Sequence, residues 1–501
     1  MPPKLTIPPQ SYFIKAKKII TQTLNNLPPL YRDYYHVNDI LTDSTPQLQQ
    51  LIKNQTGLEK FKISAGTSDM LAFKPYLNQI IQDIKQSTYY RSYHNPLGNS
   101  TARLAIAVME SAKLDNEPVY TYGDVGLTTG STDAISQIFE YIKSTYPSSQ
   151  VIIASPTYYL YKYLARFFGL NYQEAFNIKI NTKNNTASFN SIPDILAKIS
   201  QKTKLIVLAQ PNNPSSELYP AKDIKKLLIA CKSKGTLLLV DELFTDLLFD
   251  NQGFIPTDAL AKKVGALNNL VVIKGYSKSK NLPGFRIGYL FSKNKNLMTT
   301  LSQISEQRQC FAPSSNYTGL IVQDSFIQTV KAITNKGITL SKSIRLARKK
   351  FDQLNLSISP TNRLDDKNLY TSYEAYMTSI KKTYSNYYDQ ALTTLNQEIM
   401  AITPKTSAFN TFVKIKAMNG VNYLDFCLNF YLCCNVVTQI GPCFAFNQPT
   451  WEKDPSLGFW LRLSYSRQDR KYYMMILRLF CEFKKVYLSS PNKFLKLDLS
   501  F

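Results

Sequence analysis

The sequence predicts an α/β protein in which helices flank a mostly parallel sheet, with a smaller α+β domain attached. Two observations carry this. Short apolar runs recur through the middle of the chain, at 126–130, 151–155, 205–210, 236–242, 270–275 and 287–291. Helical patterning fills most of the gaps, as at 132–143, 159–168 and 221–234. Strands separated by helical segments pair in parallel, because the chain must cross back before starting the next strand.

From about residue 301 the pattern becomes mainly helical, with a basic helix expected over 341–350 and a long one over 370–397. Strand signals follow at 409–415, 436–440 and 460–464. The expected division is a large domain over 90–300, and a small domain built from 1–89 and 301–501. The first 90 or so residues read as mixed helix and loop packing on that small domain. The polar stretch 354–368 reads as a loop or insertion, and the Asn/Thr-rich stretch 181–190 as an exposed hairpin or loop. There is no internal repeat, coiled coil or low-complexity tract.

Composition bounds the class. The 501 residues are 44% hydrophobic and 19% charged, which fits a globular chain and not a disordered one. No apolar run approaches the roughly 18–20 residues of a membrane span. The first twenty residues lack an apolar core and a small-residue cleavage site, so no secretion signal and a cytoplasmic location are expected. Seven cysteines without a CxxC spacing, and only two histidines, predict reduced thiols and no metal site. The net charge of +24 has a sharp reading, a nucleic-acid or acidic-membrane partner, and a plain one, a Lys-, Asn-, Ile- and Tyr-heavy composition. No four basic residues are consecutive and no nucleic-acid module is recognisable, so neither partner is expected.

The most informative stretch is GYSKSKNLPGFRIG, 275–288. It places Lys278 in a Ser/Gly-containing turn, with Arg286 eight residues later. A lysine becomes a covalent catalyst by forming a Schiff base with a carbonyl. An arginine at a fixed offset can hold a phosphate through two parallel hydrogen bonds. Upstream, LTTGSTDAI (127–135) ends a strand at Gly130-Ser131-Thr132 and opens a helix. Free N–H groups and the positive helix end make an anion site there, although an ordinary helix cap would look alike. In LLLVDELF (237–244), Asp241 follows a buried strand, where an unpaired carboxylate is costly. A strand-terminal cap is the plain alternative.

These motifs, in this order over roughly 90–470, resemble the fold-type-I pyridoxal phosphate enzymes, and class I/II aminotransferases in particular. The lysine signature matches position by position. Of Lys274, Lys278 and Lys280, only Lys278 has a glycine three residues before it and an arginine eight after, as the family pattern needs. The resemblance implies pyridoxal 5′-phosphate as cofactor, held on Lys278. It implies that Gly130, Ser131 and Thr132, with Ser277 and Arg286, hold its phosphate, and that Asp241 pairs with its protonated ring nitrogen.

Further residues take their roles from the same resemblance. Tyr158, two after Pro156, resembles the aromatic that stacks on the ring; a core tyrosine competes in a chain with 33 of them, and Tyr159 and Tyr161 are neighbours. In QPNNPSS (210–216), Pro214 selects Asn213 over Asn212 as donor to the phenolic oxygen. Ser216 stands where the family has glycine, and a plain Asn-Pro turn is the alternative. Arg462, in FWLRLSYS (459–466), would grip the substrate α-carboxylate, against a surface arginine on an edge strand. The stretch 440–446 resembles, in altered form, a loop lining the substrate pocket. Tyr93 or His94 stands near the place of a tyrosine that reaches the neighbouring subunit's phosphate; an ordinary structural role stays open for both. Phe244 replaces a tyrosine that many relatives carry three residues after the aspartate. The Schiff-base proton should then be held more tightly.

The activity implied is transfer of an amino group between an amino acid and a 2-oxo acid, with Lys278 as general base, in a homodimer with shared active sites. The same residues would support elimination, decarboxylation or oxidation, since the cofactor does the hard step. A cofactor-binding regulator would carry a DNA-binding domain, and the first 90 residues offer no candidate. A degenerate relative is opposed by the intact Lys278, Asp241, Asn213, Arg286 and Arg462. Side-chain specificity is not legible: no second arginine for an acidic substrate stands out.

Overall fold

A computed structural model describes residues 5–497, apart from 64–65, 67, 87–90, 92, 115–117, 250–252, 309–311, 357–364, 408, 445–456 and 467–469. In chain order the strands are β1 (Phe61–Lys62), β2 (Val125–Thr129), β3 (Gln150–Ser155), β4 (Asn171–Phe176), β5 (Lys179–Asn181), β6 (Thr186–Ser188) and β7 (Thr203–Ala209). They continue as β8 (Leu237–Asp241), β9 (Leu270–Gly275), β10 (Ile287–Phe291), β11 (Ile399–Ile402), β12 (Asn410–Ile415), β13 (Val436–Val437) and β14 (Phe459–Ser464).

The six apolar runs become β2, β3, β7, β8, β9 and β10. With β4 they form a seven-stranded sheet in the order β2-β10-β9-β8-β7-β3-β4. Only β10 runs against its neighbours; the pairs β9-β8, β8-β7, β7-β3 and β3-β4 are parallel. Period-2 alternation explains why these runs are apolar throughout. Val151, Ile153, Leu205, Val207, Leu237 and Leu239 enter one buried cluster, while Ile152, Ala154, Ile206, Leu208, Leu238 and Val240 enter the other. Helices cover both faces, so neither set can be polar.

A second sheet runs in the order β14-β12-β11-β6-β5. The stretch 181–190 was expected to be an exposed hairpin or loop, and this is half right. It lies in the β5–β6 hairpin, whose tip is exposed, but Thr186 pairs with Ile402 of β11, and Ala187 and Phe189 are buried. Phe189 meets Trp460 edge-on at 5.1 Å, which holds the hairpin on this sheet despite its polar turn.

The N-terminal helices Gln10–Asn25 and Tyr34–Asp43 lie against the helix Tyr423–Cys434. Tyr12 O–H donates to the Leu432 carbonyl (2.8 Å) and Tyr431 O–H to the Thr42 carbonyl (3.0 Å). The helix Lys74–Gln86 packs instead on Thr318–Thr334, where Asp83 accepts from the Leu320 N–H at 2.9 Å. The two later helices run Leu340–Gln353 and Asp366–Leu395. The second buries Tyr373, Met377, Ile380, Tyr384, Tyr388 and Ala391, a three-four spacing that keeps one face inward. It takes up the end of the polar 354–368 stretch, of which 357–364 lie outside the described residues. Among the described residues no helix is long and apolar enough to cross a membrane, and the described cysteines are free thiols.

One close approach joins sheet to helix. A Cβ on Gly288 of β10 would fall 2.5 Å from the Gly130 carbonyl carbon and 2.8 Å from the Ser131 nitrogen. Only glycine lets β10 touch the turn that starts the helix Gly130–Thr145. Gly288→Ala should destabilise the protein by about 1–3 kcal/mol, the usual cost of overpacking. Denaturant unfolding measures this, and an unchanged midpoint would contradict it.

Candidate active site

The strands β3, β7, β8 and β9 end at a common level, and β2 ends beside them through β10. Loops beyond the carboxyl ends of a parallel sheet form a crevice. Here the crevice is a cavity of about 380 Å³. Its far wall comes from the second sheet, at Asn410 and Arg462, and from the N-terminal segment, at Tyr35, Asp39, Lys62 and Gly66.

Three lysines cluster in sequence and the structure separates them. Lys274 is ion-paired with Glu110 (3.0 Å) and Glu242 (3.4 Å). Lys280 pairs with Asp246 (3.0 Å) and Asp324 (3.2 Å) and donates to the Tyr373 hydroxyl (2.7 Å). Lys278, on the single turn Tyr276–Ser279, faces the cavity and donates to the Gly66 carbonyl. Burial, with the Arg462 and Arg286 guanidiniums nearby, pushes its amine down to about 8, against the pull of Asp241. A substantial neutral fraction near neutral pH makes it a nucleophile.

Asp241 is the last residue of β8 and is buried. Its carboxylate accepts from the Tyr161 O–H (2.9 Å) and the Leu243 N–H (3.1 Å). Burial still pushes it up to about 6, because those two hydrogen bonds and Lys278 do not replace the water lost. Tyr161 was passed over in the sequence. Its signal was the three-residue offset from Tyr158, which puts both rings on one side of a helix start. Tyr158 lines the cavity with its ring edge-on to Tyr161 at 5.8 Å, so the residue favoured from the proline offset is placed there. Tyr159 stacks on Tyr35, centroids 3.3 Å apart.

Gly130 opens the helix Gly130–Thr145 with φ +77°, and a Cβ on it would fall 2.6 Å from an Arg286 Nη atom. Arg286 also has a left-handed backbone, and its guanidinium donates to the carbonyls of Pro283 (3.2 Å) and Thr129 (3.3 Å). Ser131, Thr132, Ser277 and Arg286 all line the cavity. The first-turn N–H groups of a helix have no intrahelical partner and carry the positive end of its dipole. The result is a concave anion site made of N–H groups, hydroxyls and one guanidinium.

Arg462 lies on β14 at the edge of the second sheet, yet only 5% of it is exposed, so a surface arginine is excluded. It donates to the Asn213 Oδ1 (2.9 Å) and to the Gln439 Oε1, and its guanidinium lies 5.0 Å over the Phe444 ring. Burial pulls it down to about 10, which the surrounding tyrosines oppose. Asn212 is spent on structure, donating to the Pro156 carbonyl (2.9 Å) and to Ser215 Oγ (3.1 Å). Ser216 keeps the left-handed turn of the glycine it replaces, at φ +58°, and donates to the Asn410 carbonyl. Phe244 lines the cavity with its ring edge-on to Phe409 at 5.5 Å. Tyr93 is 90% exposed, and His94 Nε2 lies 3.3 Å from Asn316 Oδ1; neither lines the cavity. In the stretch 440–446, Phe444 reaches the cavity, and 445–446 lie outside the described residues.

These residues fit pyridoxal 5′-phosphate. The anion site of N–H groups, hydroxyls and one guanidinium suits a phosphate; Gly130 does not itself line the cavity but leaves room for Arg286. The buried carboxylate, raised for want of a cation, suits a protonated ring nitrogen. The amine held near 8 suits an aldehyde. Among the described residues no group of three or more His, Cys, Asp or Glu is placed to hold a metal ion.

The family described as aminotransferase class I and II matches residues 60–364. The aspartate aminotransferase of Sulfolobus acidocaldarius is 23% identical over 254 residues, covering 51% of this chain and 60% of that protein. That of Thermotoga maritima is 26% identical over 310 residues, covering 60% of this chain and 77% of that protein. The matches span 60%, 44% and 62% of the first three curated relatives, less than two thirds of their length. The crystal structure of the Thermotoga maritima enzyme superposes with TM-score 0.62 at 19% identity, covering 89% of this chain and 97% of that one. The aspartate aminotransferase from Rhizobium meliloti gives 0.63 at 17% identity, over 87% and 95%. At those identities the superpositions establish a shared fold-type-I architecture. With a family match over residues 60–364, more than half of the sequence, the chain belongs to the class I and II aminotransferases, whose members are pyridoxal phosphate-dependent.

Proposed function

We propose that this protein is a pyridoxal phosphate-dependent aminotransferase moving an amino group between an amino acid and a 2-oxo acid. The observation that carries the proposal is the separation of three lysines: two are locked in ion pairs, and Lys278 alone faces Asp241 across the cavity. When bound, the cofactor supplies an electron sink for the charge that develops at the substrate α-carbon. The chain's own residues do the rest. Lys278 would hold the cofactor through its amine, and with that amine free it would take the α-proton. Asp241, oriented by Tyr161, holds a proton on the ring nitrogen. Ser131, Thr132, Ser277 and Arg286 grip the phosphate, and Tyr158 supplies a flat face. Arg462, fixed by Asn213 and Gln439, presents its guanidinium to the α-carboxylate.

We also propose the division into a large domain over 90–300 and a small one over 1–89 and 301–501, a cytoplasmic location and a homodimer. Elimination, decarboxylation or oxidation on the same cavity is the competing chemistry. Transamination alone leaves the cofactor in its amine form after the first half-reaction.

Borohydride reduction of the loaded protein should fix the cofactor on the peptide carrying Lys278, and Lys278→Ala should leave none fixed and no detectable turnover. Attachment at Lys274 or Lys280, or an amino donor consumed without accumulation of the amine form, would defeat the proposal.

The rate of cofactor uptake should rise with pH through about 8, because the reactive species is the deprotonated Lys278 amine. Stopped-flow absorbance between pH 7 and 9 tests this; a flat profile contradicts it.

Phe244 has no hydroxyl to offer the cofactor's phenolic oxygen, so the proton on the Lys278 nitrogen of the loaded enzyme should be retained to higher pH. Phe244→Tyr should lower the midpoint of the visible spectral transition by about one pH unit, the effect of one added hydrogen bond. An unmoved midpoint counts against this role.

A further inference from the structure

Once the cofactor and α-carboxylate contacts are assigned, the cavity has an unclaimed end. It is formed by Tyr35 and Asp39 of the helix Tyr34–Asp43, by Tyr159, and by Lys62. We infer that this end selects amino acids whose side chain terminates in a cation, with Asp39 as the recognising carboxylate. The inference rests on the aminotransferase proposal for the same cavity.

Charge placement argues first. Among the described residues four cations line the cavity: Lys278, Arg286, Arg462 and Lys62. The first three belong to the cofactor and the α-carboxylate. Among the described residues of this chain, only the fourth is left for a second substrate carboxylate. Lys62 is not free for that, because its ammonium is paired with Asp43, which also takes Lys60. Asp39 is in the opposite condition. Among the described residues it makes no ion pair within 4.0 Å, and its carboxyl is hydrogen-bonded to that of Asp43. Burial and that like charge raise its pKa, with Lys62 and His36 only partly offsetting them. An incoming ammonium or guanidinium would relieve both penalties, whereas an incoming carboxylate would add a third.

The walls argue the same way. Tyr35 lines the cavity together with Arg462 and Asp39 and lies near enough to both to feel their charges. Tyr35 and Tyr159, stacked on each other, both line the cavity and give this end an aromatic wall along which a methylene chain can lie.

Binding to the loaded enzyme separates this inference from the proposal it rests on. By calorimetry, 4-guanidinobutyrate, which has no α-amino group to react, should bind at least tenfold more tightly than glutarate. Asp39→Asn should remove that advantage. In turnover, arginine, ornithine or lysine should exceed aspartate and glutamate in kcat/KM, and Asp39→Asn should lower that ratio at least tenfold. Equal or tighter binding of glutarate, or an Asp39→Asn variant that keeps the preference, overturns the inference and leaves the aminotransferase proposal standing. Selective guanidino binding without reaction of any amino acid supports the charge selection and defeats the aminotransferase proposal.

Discussion

The site depends on a carboxylate and an amine buried in one cavity without a direct ion pair. Asp241 is pushed up and Lys278 pushed down, and desolvation is the leading cause in both cases. Had the two closed into a salt bridge, each would have been stabilised in its charged form and the lysine lost as a nucleophile. The fold prevents this by giving each another partner. Asp241 is held back by Tyr161 and the Leu243 N–H, and Lys278 is drawn to the Gly66 carbonyl on the opposite wall. The neighbouring lysines are removed from competition by remote acids: Glu110 and Glu242 for Lys274, Asp246 and Asp324 for Lys280.

Strand register explains why such a placement is reachable. Asp241 pairs in register with Ala209 and Ile273, so the residues that follow β7, β8 and β9 emerge side by side. Asn213, Asp241 and Lys278 lie within a few residues of those ends. The anion site is added from β2 through the contact between Gly288 and Gly130, and Arg286 is carried in on the approach to β10. One sheet edge therefore gathers groups more than 140 residues apart, Gly130 to Arg286, with each contributing strand only five to seven residues long.

What was legible in the sequence follows from this geometry. The six strands showed as apolar runs because both their faces are buried, and Lys278, Asp241 and Asn213 showed because each stands at a fixed step from a strand end. Tyr161 was weighed only as a rival to Tyr158 for the ring stack, because the carboxylate it meets is 80 residues away and its offset from Tyr158 says nothing of that partner. The N-terminal wall was missed for the same reason: Gly66 meets Lys278 across 212 positions. The hairpin at 181–190 looked exposed because its turn is polar, while the residue that anchors it, Phe189, is a single aromatic just past the strand. Local chemistry is written in short patterns; contacts between distant segments are not.

The strong positive charge of the chain has a local counterpart with a different meaning. Within the cavity, four cations face two carboxylates, Asp241 and Asp39. In the proposed function Asp241 stands at the cofactor end, where a phosphate would also have to be neutralised. Arg286 lies beside the anion site, and Arg462 is poised for a carboxylate. The cofactor end thus carries an excess of positive charge that its own ligands consume. The proposed substrate end carries a lysine already paired with Asp43 and, in Asp39, a carboxyl that is hydrogen-bonded to Asp43 but makes no ion pair among the described residues. A uniform positive field would draw any anion equally well into both ends. On the inference drawn from Asp39, a substrate with a carboxylate for Arg462 and a cation for Asp39 would be oriented by contacts at its two ends.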